Sequence, residues 1–455
     1  MARSSLHRTL RLWMNGTCVG TWSIHPSGDV LQYDETWVAS DQGRPLSLSL
    51  PFLPGNKPHR GTVVRNYFEN LLPDSKEIRE RVARRFQAGS IDAFSLLAEI
   101  GRDCVGALQI LPEATTPDNI RTIQGTRLTE SDVAQLLRST LKPAPLRGRD
   151  REDDDFRISI AGAQEKTALL HVEGQWCLPH GATPTTHILK LPLGQVGGMN
   201  ADMSDSVENE WLCSEILRAY GLPVARTTPL RFEDMKVLAV ERFDRRWWHD
   251  PNGERWLIRL PQEDICQATG TAPHLKYEAD GGPGMRAILK LLATAQEPER
   301  DRSCFFQAQV LFWMLRAPDG HAKNFSIALR PGGAYALTPL YDVLSAYPVL
   351  GTGAGQISPF KVKMAMAMAL RSKNAHYRMA AIQRRHWLTM GAEQGVVSPD
   401  GRGAEALIDD LVRRTPEVIQ TVSALLPTEF PRAVAESIFE GLATAATALS
   451  DRVSS

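Results

Sequence analysis

The first 112 residues alternate hydrophobic and polar positions in short runs, as half-buried β-strands do. Residues 9–14 and 17–22 alternate on either side of Asn15-Gly16, a residue pair that strongly favours a two-residue hairpin turn. Other elements predicted in this part are an edge strand over 46–50, helices over 63–72 and 93–99, and a closing strand over 106–111. The pattern predicts a small N-terminal α/β module over residues 1–112.

The pattern changes twice after this module. Prolines and a charged run mark residues 113–155 as a linker, in which Thr129 opens a short amphipathic helix. From 156 to 258 apolar strands alternate around one clear helix over 204–220, and from 259 to 455 helical periodicity predominates. We therefore predict an α+β protein in which a β-rich lobe precedes a helical lobe.

Composition argues against several classes of protein. The 455 residues include 52 Lys+Arg and 52 Asp+Glu, and this balance argues against coating nucleic acid or anionic membranes by bulk charge. No apolar run approaches the ~18 residues that span a bilayer, and the N-terminal stretch lacks the apolar core of a secretory signal. The scattered cysteines predict no disulfide framework. These features predict a cytoplasmic protein without a membrane partner.

The densest group of polar residues with catalytic potential is the segment 319–324, Asp-Gly-His-Ala-Lys-Asn. Asp319 and Asn324 have the spacing of a kinase catalytic loop, in which the Asp orients and deprotonates the acceptor hydroxyl and the Asn holds Mg²⁺. Asp342 follows a predicted strand farther along and supplies a carboxylate for the same metal. Taken alone, Asp-Gly is also an ordinary turn, and residues 317–318 are Ala-Pro where ordinary protein kinases have His-Arg.

Upstream segments supply nucleotide-binding chemistry in the chain order of a kinase. Lys190 ends an apolar strand and suits the α- and β-phosphates, with Glu208 or Glu210 on the following helix as its ion-pair partner. The small residues within 161–167 allow backbone N–H groups to approach phosphate closely. An apolar strand leads into 241–243, which suits a hinge that binds adenine. A lone strand lysine is usually a surface residue, so the prediction depends on the order of all these segments.

These segments, together with specific strings elsewhere, resemble the HipA family, the bacterial serine/threonine kinase toxins of HipBA toxin–antitoxin modules. The strings that carry the resemblance are 47–51, 70–75, 99–103, 155–167, 241–246, 260–264, 280–284 and 319–324. They extend over nearly the whole chain. The resemblance implies a bilobal protein-kinase-like core, with a β-rich N-lobe and a helical C-lobe, behind the N-terminal module.

The resemblance also implies an ATP- and Mg²⁺-dependent serine/threonine protein kinase. Asp319 is then the catalytic residue, and Asn324 and Asp342 hold the metal. Ser159 is by the same resemblance an autophosphorylation site that silences the kinase. The ATP-binding residues that the pattern and the resemblance assign are Ala161, Gly162, Ala163, Gln164, Glu165, Lys166, Lys190, Glu241, Arg242, Phe243, His321, Ala322, Lys323, Asn324, Tyr341 and Asp342.

The partners that the resemblance implies are a protein substrate, an antitoxin and DNA. The substrate is glutamate–tRNA ligase or another aminoacyl-tRNA synthetase, whose phosphorylation halts translation. A HipB-like helix-turn-helix antitoxin joins the toxin in repressing their own operator DNA. Residues 343–392 contain no Asp or Glu, and their candidate DNA contacts are Lys361, Lys363, Arg384 and Arg385. A solvated face, or contact with a phosphate-bearing substrate, explains this basic segment equally well.

Two other functions stay open at this point. The first is a small-molecule or lipid phosphotransferase, since lipid kinases share the shortened style of catalytic loop. The second is an inactive kinase-fold scaffold for a DNA-bound repressor. The scaffold is disfavoured because the strand lysine, the Asp and Asn of the loop and the second Asp are all present.

Overall fold

The computed structural model describes residues 8–141, 164–196, 201–249, 253–353, 355–358, 363–371 and 373–450. Its strands are β1 Arg8–Met14, β2 Thr17–His25, β3 Gly28–Tyr33, β4 His59–Arg60, β5 Leu108–Pro112, β6 Gly125–Arg127, β7 Lys166–Val172, β8 Gln175–Pro179, β9 His187–Lys190, β10 Gly194–Val196, β11 Ala201–Met203, β12 Thr227–Phe232, β13 Met235–Glu241, β14 Arg245–His249, β15 Arg255–Arg259, β16 Gln262–Asp264, β17 Ser326–Leu329, β18 Tyr335–Leu337, β19 Ala365–Arg371 and β20 Ala375–Arg378. Its helices are α1 Glu35–Val38, α2 Thr62–Glu69, α3 Lys76–Phe86, α4 Ala93–Ile100, α5 Glu130–Leu141, α6 Ser206–Ala219, α7 Ile265–Ala268, α8 Met285–Leu292, α9 Pro298–Met314, α10 Arg384–Glu393, α11 Ala404–Ser423 and α12 Arg432–Ser450.

A five-stranded antiparallel sheet, in the order β4-β3-β2-β1-β5, forms the N-terminal module. The predicted hairpin is confirmed, because Asn15 and Gly16, both at positive φ, connect β1 to β2. Helices α2 and α4 share a core with this sheet. In that core the ring of Trp22 stacks on Phe68 at a centroid distance of 3.8 Å and meets Phe94 edge-on.

The edge strand predicted over 46–50 is wrong. The hydroxyl of Ser47 donates to the carbonyl oxygen of Gln267 at 3.0 Å. The N–H of Leu48 donates to the buried carboxylate of Glu263 at 2.8 Å. Because these polar groups bind residues far along the chain, the segment forms a turn that fastens the module to the C-lobe and does not extend the sheet.

A six-stranded sheet, in the order β12-β13-β9-β7-β8-β6, forms the β-rich N-lobe. Part of the predicted linker belongs to this lobe. Strand β6 pairs with β8, and α5 buries Val133 and Leu137 in the same core as Leu189. The apolar stripe of an amphipathic helix must be covered, and here the sheet covers it. Over 125–141 the chain is therefore a part of the N-lobe and not a free connection.

The C-lobe is built mainly from α8 to α12 around the largest core of the molecule. Its centre includes Phe305, Phe312 and Phe325, whose rings pack at centroid distances of 4.9 and 5.7 Å. Strands β16, β17 and β18 form a small sheet and β19–β20 a hairpin. The strand predicted before Asp342 is confirmed as β18, whereas the expectation of helical periodicity overlooked β16, β19 and β20. Strand β19 alternates Ala and Met, two residues with high helix propensity, so composition hides its two-residue period.

The predicted α+β class is confirmed, with a β-rich lobe followed by a mainly helical one. Within the parts of the chain that the structure describes, no helix combines the length and the apolar character needed to cross a membrane.

Candidate active site

A cleft of about 230 Å³ lies where the N-lobe, the C-lobe and the N-terminal module meet. The predicted catalytic residue Asp319 lines it. The predicted ATP-binding residues that line it are Gln164, Lys166, Lys190, Glu241, Arg242, Phe243, His321, Lys323, Asn324, Tyr341 and Asp342. The fold therefore brings together the ends of β7, β9 and β13 with the loops that follow α9 and β18.

Two lysines stand next to each other in this cleft. Lys166 begins β7 and Lys190 ends β9, and the antiparallel register makes them direct cross-strand partners. Directly paired residues project from the same face of a sheet, where like charges repel each other. Such a pair needs carboxylates nearby, and it suits a ligand with several negative charges.

Lys190 binds two carboxylates. Its Nζ donates to Oε1 of Glu210 at 2.6 Å and to Oδ1 of Asp342 at 2.8 Å. The sequence left Glu208 and Glu210 open as partners, and the structure selects Glu210. Glu208 instead accepts from Nζ of Lys236 on β13 at 2.9 Å. The lysine is thus tied at once to α6 and to the loop after β18.

Lys166, Lys190, Glu210 and Asp342 form a group that we call the cleft cluster. Burial alone would lower the pKa of Lys190, but the carboxylates of Asp342 and Glu210 raise it above its usual value. Burial lowers the pKa of Lys166 to about 8. Burial also raises the pKa of Glu210, whereas the ammonium of Lys190 overcomes burial and holds the pKa of Asp342 well below its usual range. The cluster contains a lysine that loses its proton easily and an aspartate that stays ionised.

The backbone of Asp342 has an uncommon conformation. Its φ is 62°, in the left-handed region that residues with a Cβ seldom adopt. Its side chain is 29% exposed, whereas that of Lys190 is 7% exposed. One carboxylate oxygen binds Lys190, and the group lines the cleft, so the carboxylate is accessible to a bound cation or phosphate.

Asp319 is the accessible carboxylate of the loop after α9. Its side chain is 56% exposed, and Nε2 of His321 lies 3.7 Å from its Oδ1. The hydroxyl of Tyr277 also donates to this carboxylate. Nδ2 of Asn324 donates to the backbone oxygen of Asp319 at 2.7 Å, which orients the Asn324 amide within the loop. An exposed, oriented carboxylate suits the removal of a proton from an incoming hydroxyl.

Another part of the cleft is apolar. Ile188 and Val240 line it together with the rings of Phe243 and Tyr341. The two ring centroids are 5.9 Å apart and the ring planes are inclined by 34°. Glu241 ends β13 and is exposed beside them. Aliphatic and aromatic side chains around a narrow space suit a flat heterocyclic base.

The sequence assigned Arg242 to the adenine hinge, and the structure shows where its side chain lies. Its guanidinium is 2% exposed and donates to the carboxylates of Asp103 and Asp244. Arg245 and Arg259 bind the same Asp103 carboxylate at 2.8 and 3.1 Å. We call these five residues the hinge cluster, because Arg242 among them directly follows β13, where the sequence predicted the hinge. The side chain of Arg242 is not available to a ligand, since it fastens the N-terminal module to the N-lobe. Its backbone N–H donates to the carbonyl oxygen of Thr186 at 2.8 Å.

Two further residues assigned to the nucleotide site, Glu165 and Ala322, do not direct their side chains to a ligand. The carboxylate of Glu165 pairs with Arg81 of α3, so that a phosphate would meet only its backbone. Ala322 is fully buried, and its N–H donates to the carbonyl oxygen of Lys276 at 3.2 Å. The predicted residues outside the described parts of the chain are Ser159, Ala161, Gly162 and Ala163.

The candidate DNA contacts divide into three kinds. Lys363 and Arg385 are exposed, and Lys361 lies outside the described residues. The prediction that Arg384 contacts DNA is wrong, because its side chain is 8% exposed and donates to Asp409 of α11 at 2.6 Å. It also donates to a carbonyl oxygen near the end of α12 at 3.0 Å. With its charge compensated inside the C-lobe, Arg384 joins three helices and does not present its guanidinium to DNA.

Sequence reasoning missed the share of the N-terminal module in the cleft. Asp74, between α2 and α3, binds both Lys276 and Lys323 at 2.9 Å. All three side chains line the cleft. The one signal in the sequence was the string 70–75, which contributed to the family resemblance without indicating a chemical role.

Two domain families match most of the chain. The HipA N-terminal domain matches residues 10–111, and the HipA-like C-terminal domain matches residues 158–419. The chain belongs to the HipA family. The assignment made from the sequence strings is confirmed.

Relatives of known sequence and structure agree with this membership. Y4mE of Sinorhizobium fredii, described as a kinase, is 32% identical over 423 residues, which cover 92% of this chain and 93% of Y4mE. The serine/threonine-protein kinase toxin HipA of Shewanella oneidensis is 26% identical over 352 residues, or 74% of this chain and 75% of that protein. A chain in the S. oneidensis complex of HipA, HipB and operator DNA matches with a TM-score of 0.74 at 22% identity, covering 96% of both chains. The fold is therefore that of HipA.

Proposed function

We propose that this chain is an ATP- and Mg²⁺-dependent serine/threonine protein kinase. The observation that carries the proposal is the meeting, in one cleft, of the Lys190–Glu210 ion pair, Asp342 and an exposed Asp319 beside Asn324. Phosphoryl transfer needs these groups: a lysine for the phosphates, oxygen ligands for the metal and a carboxylate for the acceptor. Membership in the HipA family and relatives described as kinases support the proposal.

In this proposal the nucleotide occupies both parts of the cleft. The base lies against Phe243 and Tyr341, and the phosphates face the Lys166 and Lys190 pair. The amide oxygen of Asn324 and the carboxylate of Asp342 are hard oxygen ligands, which Mg²⁺ combines with phosphate oxygens and water. Bound there, Mg²⁺ would neutralise negative charge on the phosphates. The donor set therefore fits the cofactor.

Asp319 acts as the base in the proposed reaction. Its exposed carboxylate accepts the proton of the acceptor hydroxyl, and the hydroxyl of Tyr277, which donates to the carboxylate, keeps it oriented. Replacing it with asparagine keeps the shape and removes the base. Such a loss typically lowers the rate by ~10²–10⁴-fold.

The test compares the full chain with Asp319→Asn, each incubated with Mg²⁺, γ-labelled ATP and a bacterial lysate. We expect labelled protein with the wild type, and ~10²–10⁴-fold slower labelling with the variant. ATP affinity, measured by calorimetry, should change little, because in this proposal Asp319 contacts neither the adenine ring nor the phosphates of ATP. Equal labelling rates would contradict the role of Asp319. Label in lipid or small molecules would support a different phosphotransferase, and no label at all would support a scaffold.

We extend the proposal to a toxin of a toxin–antitoxin module. The S. oneidensis relative is named a toxin, and the matched structure contains HipB and operator DNA. On this basis the partners are a HipB-like helix-turn-helix antitoxin, operator DNA bound by the complex, and an aminoacyl-tRNA synthetase such as glutamate–tRNA ligase as substrate. Autophosphorylation of Ser159 is part of the same proposal. Intact mass after incubation with Mg–ATP tests it, since Ser159→Ala should lack one phosphate that the wild type gains.

A further inference from the structure

The N-terminal module contributes an ionised side chain to the cleft at Asp74. We propose that Asp74 is a positioning residue for phosphoryl transfer, which holds Lys276 and Lys323 in place beside Asp319. The inference rests on the kinase function proposed above. It gives the N-terminal module a role in the chemistry of the cleft, in addition to its contacts with the two lobes.

Each oxygen of the Asp74 carboxylate binds one ammonium group. Oδ1 accepts from Nζ of Lys323 and Oδ2 accepts from Nζ of Lys276, both at 2.9 Å. The side chains of Asp74 and Lys276 are 18% and 17% exposed, and that of Lys323 is 4% exposed. Burial alone would raise the pKa of Asp74, but the two ammonium groups lower it below its usual value. Asp74 is therefore an ionised bridge between two cations.

The two lysines belong to a single unit that contains Asp319. Lys323 lies in the loop between Asp319 and Asn324. Lys276 precedes Tyr277, whose hydroxyl donates to the Asp319 carboxylate. The backbone joins the two segments again, because the N–H of residue 322 donates to the carbonyl oxygen of Lys276 at 3.2 Å. A displacement of either lysine would therefore move the loop that carries the proposed base.

The loss of Asp74 is expected to affect ATP affinity and the rate of transfer in opposite directions. Phosphoryl transfer spreads negative charge over the oxygens of the transferred group, and fixed cations stabilise that charge. Removing Asp74 makes the cleft more positive, which by attraction alone would favour ATP binding. It also releases two long side chains from one geometry, which lowers the rate of transfer. A positioning role thus predicts a loss in kcat without a loss in ATP affinity.

The first experiment uses the full chain and the variant Asp74→Asn, with Glu69→Gln as the matched control. Glu69 ends α2 just before Asp74, and its carboxylate pairs with Arg79 at 2.6 Å. We expect kcat for phosphoryl transfer from Mg–ATP to the lysate protein that the wild type labels to fall by roughly 10–100-fold in Asp74→Asn, the size of a lost charge-assisted hydrogen bond. The ATP dissociation constant should stay the same or decrease. Glu69→Gln should match the wild type in both quantities.

A second readout does not depend on turnover. Hydrogen–deuterium exchange of the ligand-free chain should show faster exchange of the amides at 320–324 in Asp74→Asn, and unchanged exchange in Glu69→Gln. If Asp74→Asn folds poorly, Lys276→Gln tests the same bridge from its other side. Lys276→Gln should then lower kcat and speed the exchange of the amides at 320–324 in the same way. Where Asp74→Asn folds, the double variant should lose less than the product of the two single losses, because the two substitutions remove a shared interaction.

Three outcomes would overturn the inference. Unchanged kcat in Asp74→Asn would reject the positioning role while the kinase function stands. Weaker ATP binding at constant kcat would make Asp74 part of nucleotide binding instead. Additive losses in the double variant would reduce Asp74 to a structural tether. If the wild type transfers no phosphate under any condition, the proposed function itself fails and this inference fails with it.

Discussion

The hinge cluster and the cleft cluster are both groups of ions withdrawn from water, and they differ in access. In the hinge cluster no side chain is more than 6% exposed. In the cleft cluster the Asp342 side chain is 29% exposed next to a Lys190 that is 7% exposed. A closed cluster contributes to the attachment of two parts of the fold. An open one keeps charge within reach of a ligand.

The cations of the two clusters also differ in kind. The hinge cluster contains three arginines, whose planar groups donate several hydrogen bonds at once. Arg242 and Arg245 each also donate to a backbone carbonyl oxygen, at 2.8 and 2.7 Å. The cleft cluster contains two lysines, whose compact ammonium groups are carried on flexible stems and whose pKa values respond to burial. Arginine therefore suits the permanent interface. Lysine suits the site where a cation must be able to leave a carboxylate partner and bind a ligand.

The largest expected effect is a loss of stability when the hinge cluster loses its shared carboxylate. Asp103→Ala removes the carboxylate that Arg242, Arg245 and Arg259 share. Breaking a buried ion pair leaves charge without compensation and typically costs ~3–5 kcal/mol of unfolding free energy. Urea unfolding, followed by tryptophan fluorescence, measures this loss.

Asp234→Ala provides the control for that experiment. Asp234 is an exposed carboxylate that pairs with Arg138 on the surface of the N-lobe. Exposed ion pairs contribute little, so the unfolding free energy of this variant should stay close to that of the wild type. If Asp103→Ala were as stable as Asp234→Ala, the hinge cluster would not hold the module to the N-lobe.

The next effect changes activity more than stability. Glu210→Gln removes one of the two charges that hold Lys190, while Asp342 remains as its partner. We expect phosphoryl transfer to fall by roughly 10–100-fold, as for a lost hydrogen bond to a charged group. Glu208→Gln is the matched control on the same helix, because its partner is Lys236. Labelling rates and urea unfolding of both variants separate the two roles, and equal rates would contradict the assignment of Glu210.

The choice between these two glutamates shows what the sequence could not reveal. The pattern located Lys190 at a strand end and the helix after it. Glu208 and Glu210 are two positions apart and so point to different sides of a helix. Helix α6 is buried over most of its length, so its hydrophobic pattern does not indicate which side meets the strand lysine. Only the packing of α6 on the sheet decides.

Long-range and buried contacts account for the other differences. Asp74 and Lys276 are brought together by the docking of the N-terminal module, and no local period links them. Arg384 belongs to a run of basic residues that suggested a surface, but a carboxylate of α11 lies within 2.6 Å of it. Local order of elements, the hairpin and the spacing of Asp319, Asn324 and Asp342 could be predicted, because each depends on residues close in sequence.

The smallest expected effect concerns Lys166, the labile cation of the cleft cluster. Its pKa of about 8 is below that of an ordinary lysine, because burial opposes its charge; Lys190 adds to this effect and Asp342 opposes it. Between pH 8 and about 10.5 the unfolded chain therefore holds a proton that the folded chain has lost. Stability rises with pH wherever the unfolded state binds more protons. The penalty for burying this charge is therefore relieved across that window, and the unfolding free energy of the ligand-free protein rises with pH.

ATP reverses the sign of this dependence. The phosphates favour the charged lysine, so binding becomes weaker as the pH rises above 8 and the cation is lost. The loss of affinity is up to about tenfold for each unit by which ATP raises the pKa of Lys166. Calorimetric titration with ATP and urea unfolding without it, both from pH 7 to 10, measure the opposite slopes. Lys166→Met should remove both contributions, since methionine has a similar length and no charge. A variant that kept the wild-type pH dependence of ATP affinity would show that another group titrates there, and that the lysine pair is not where the phosphates bind.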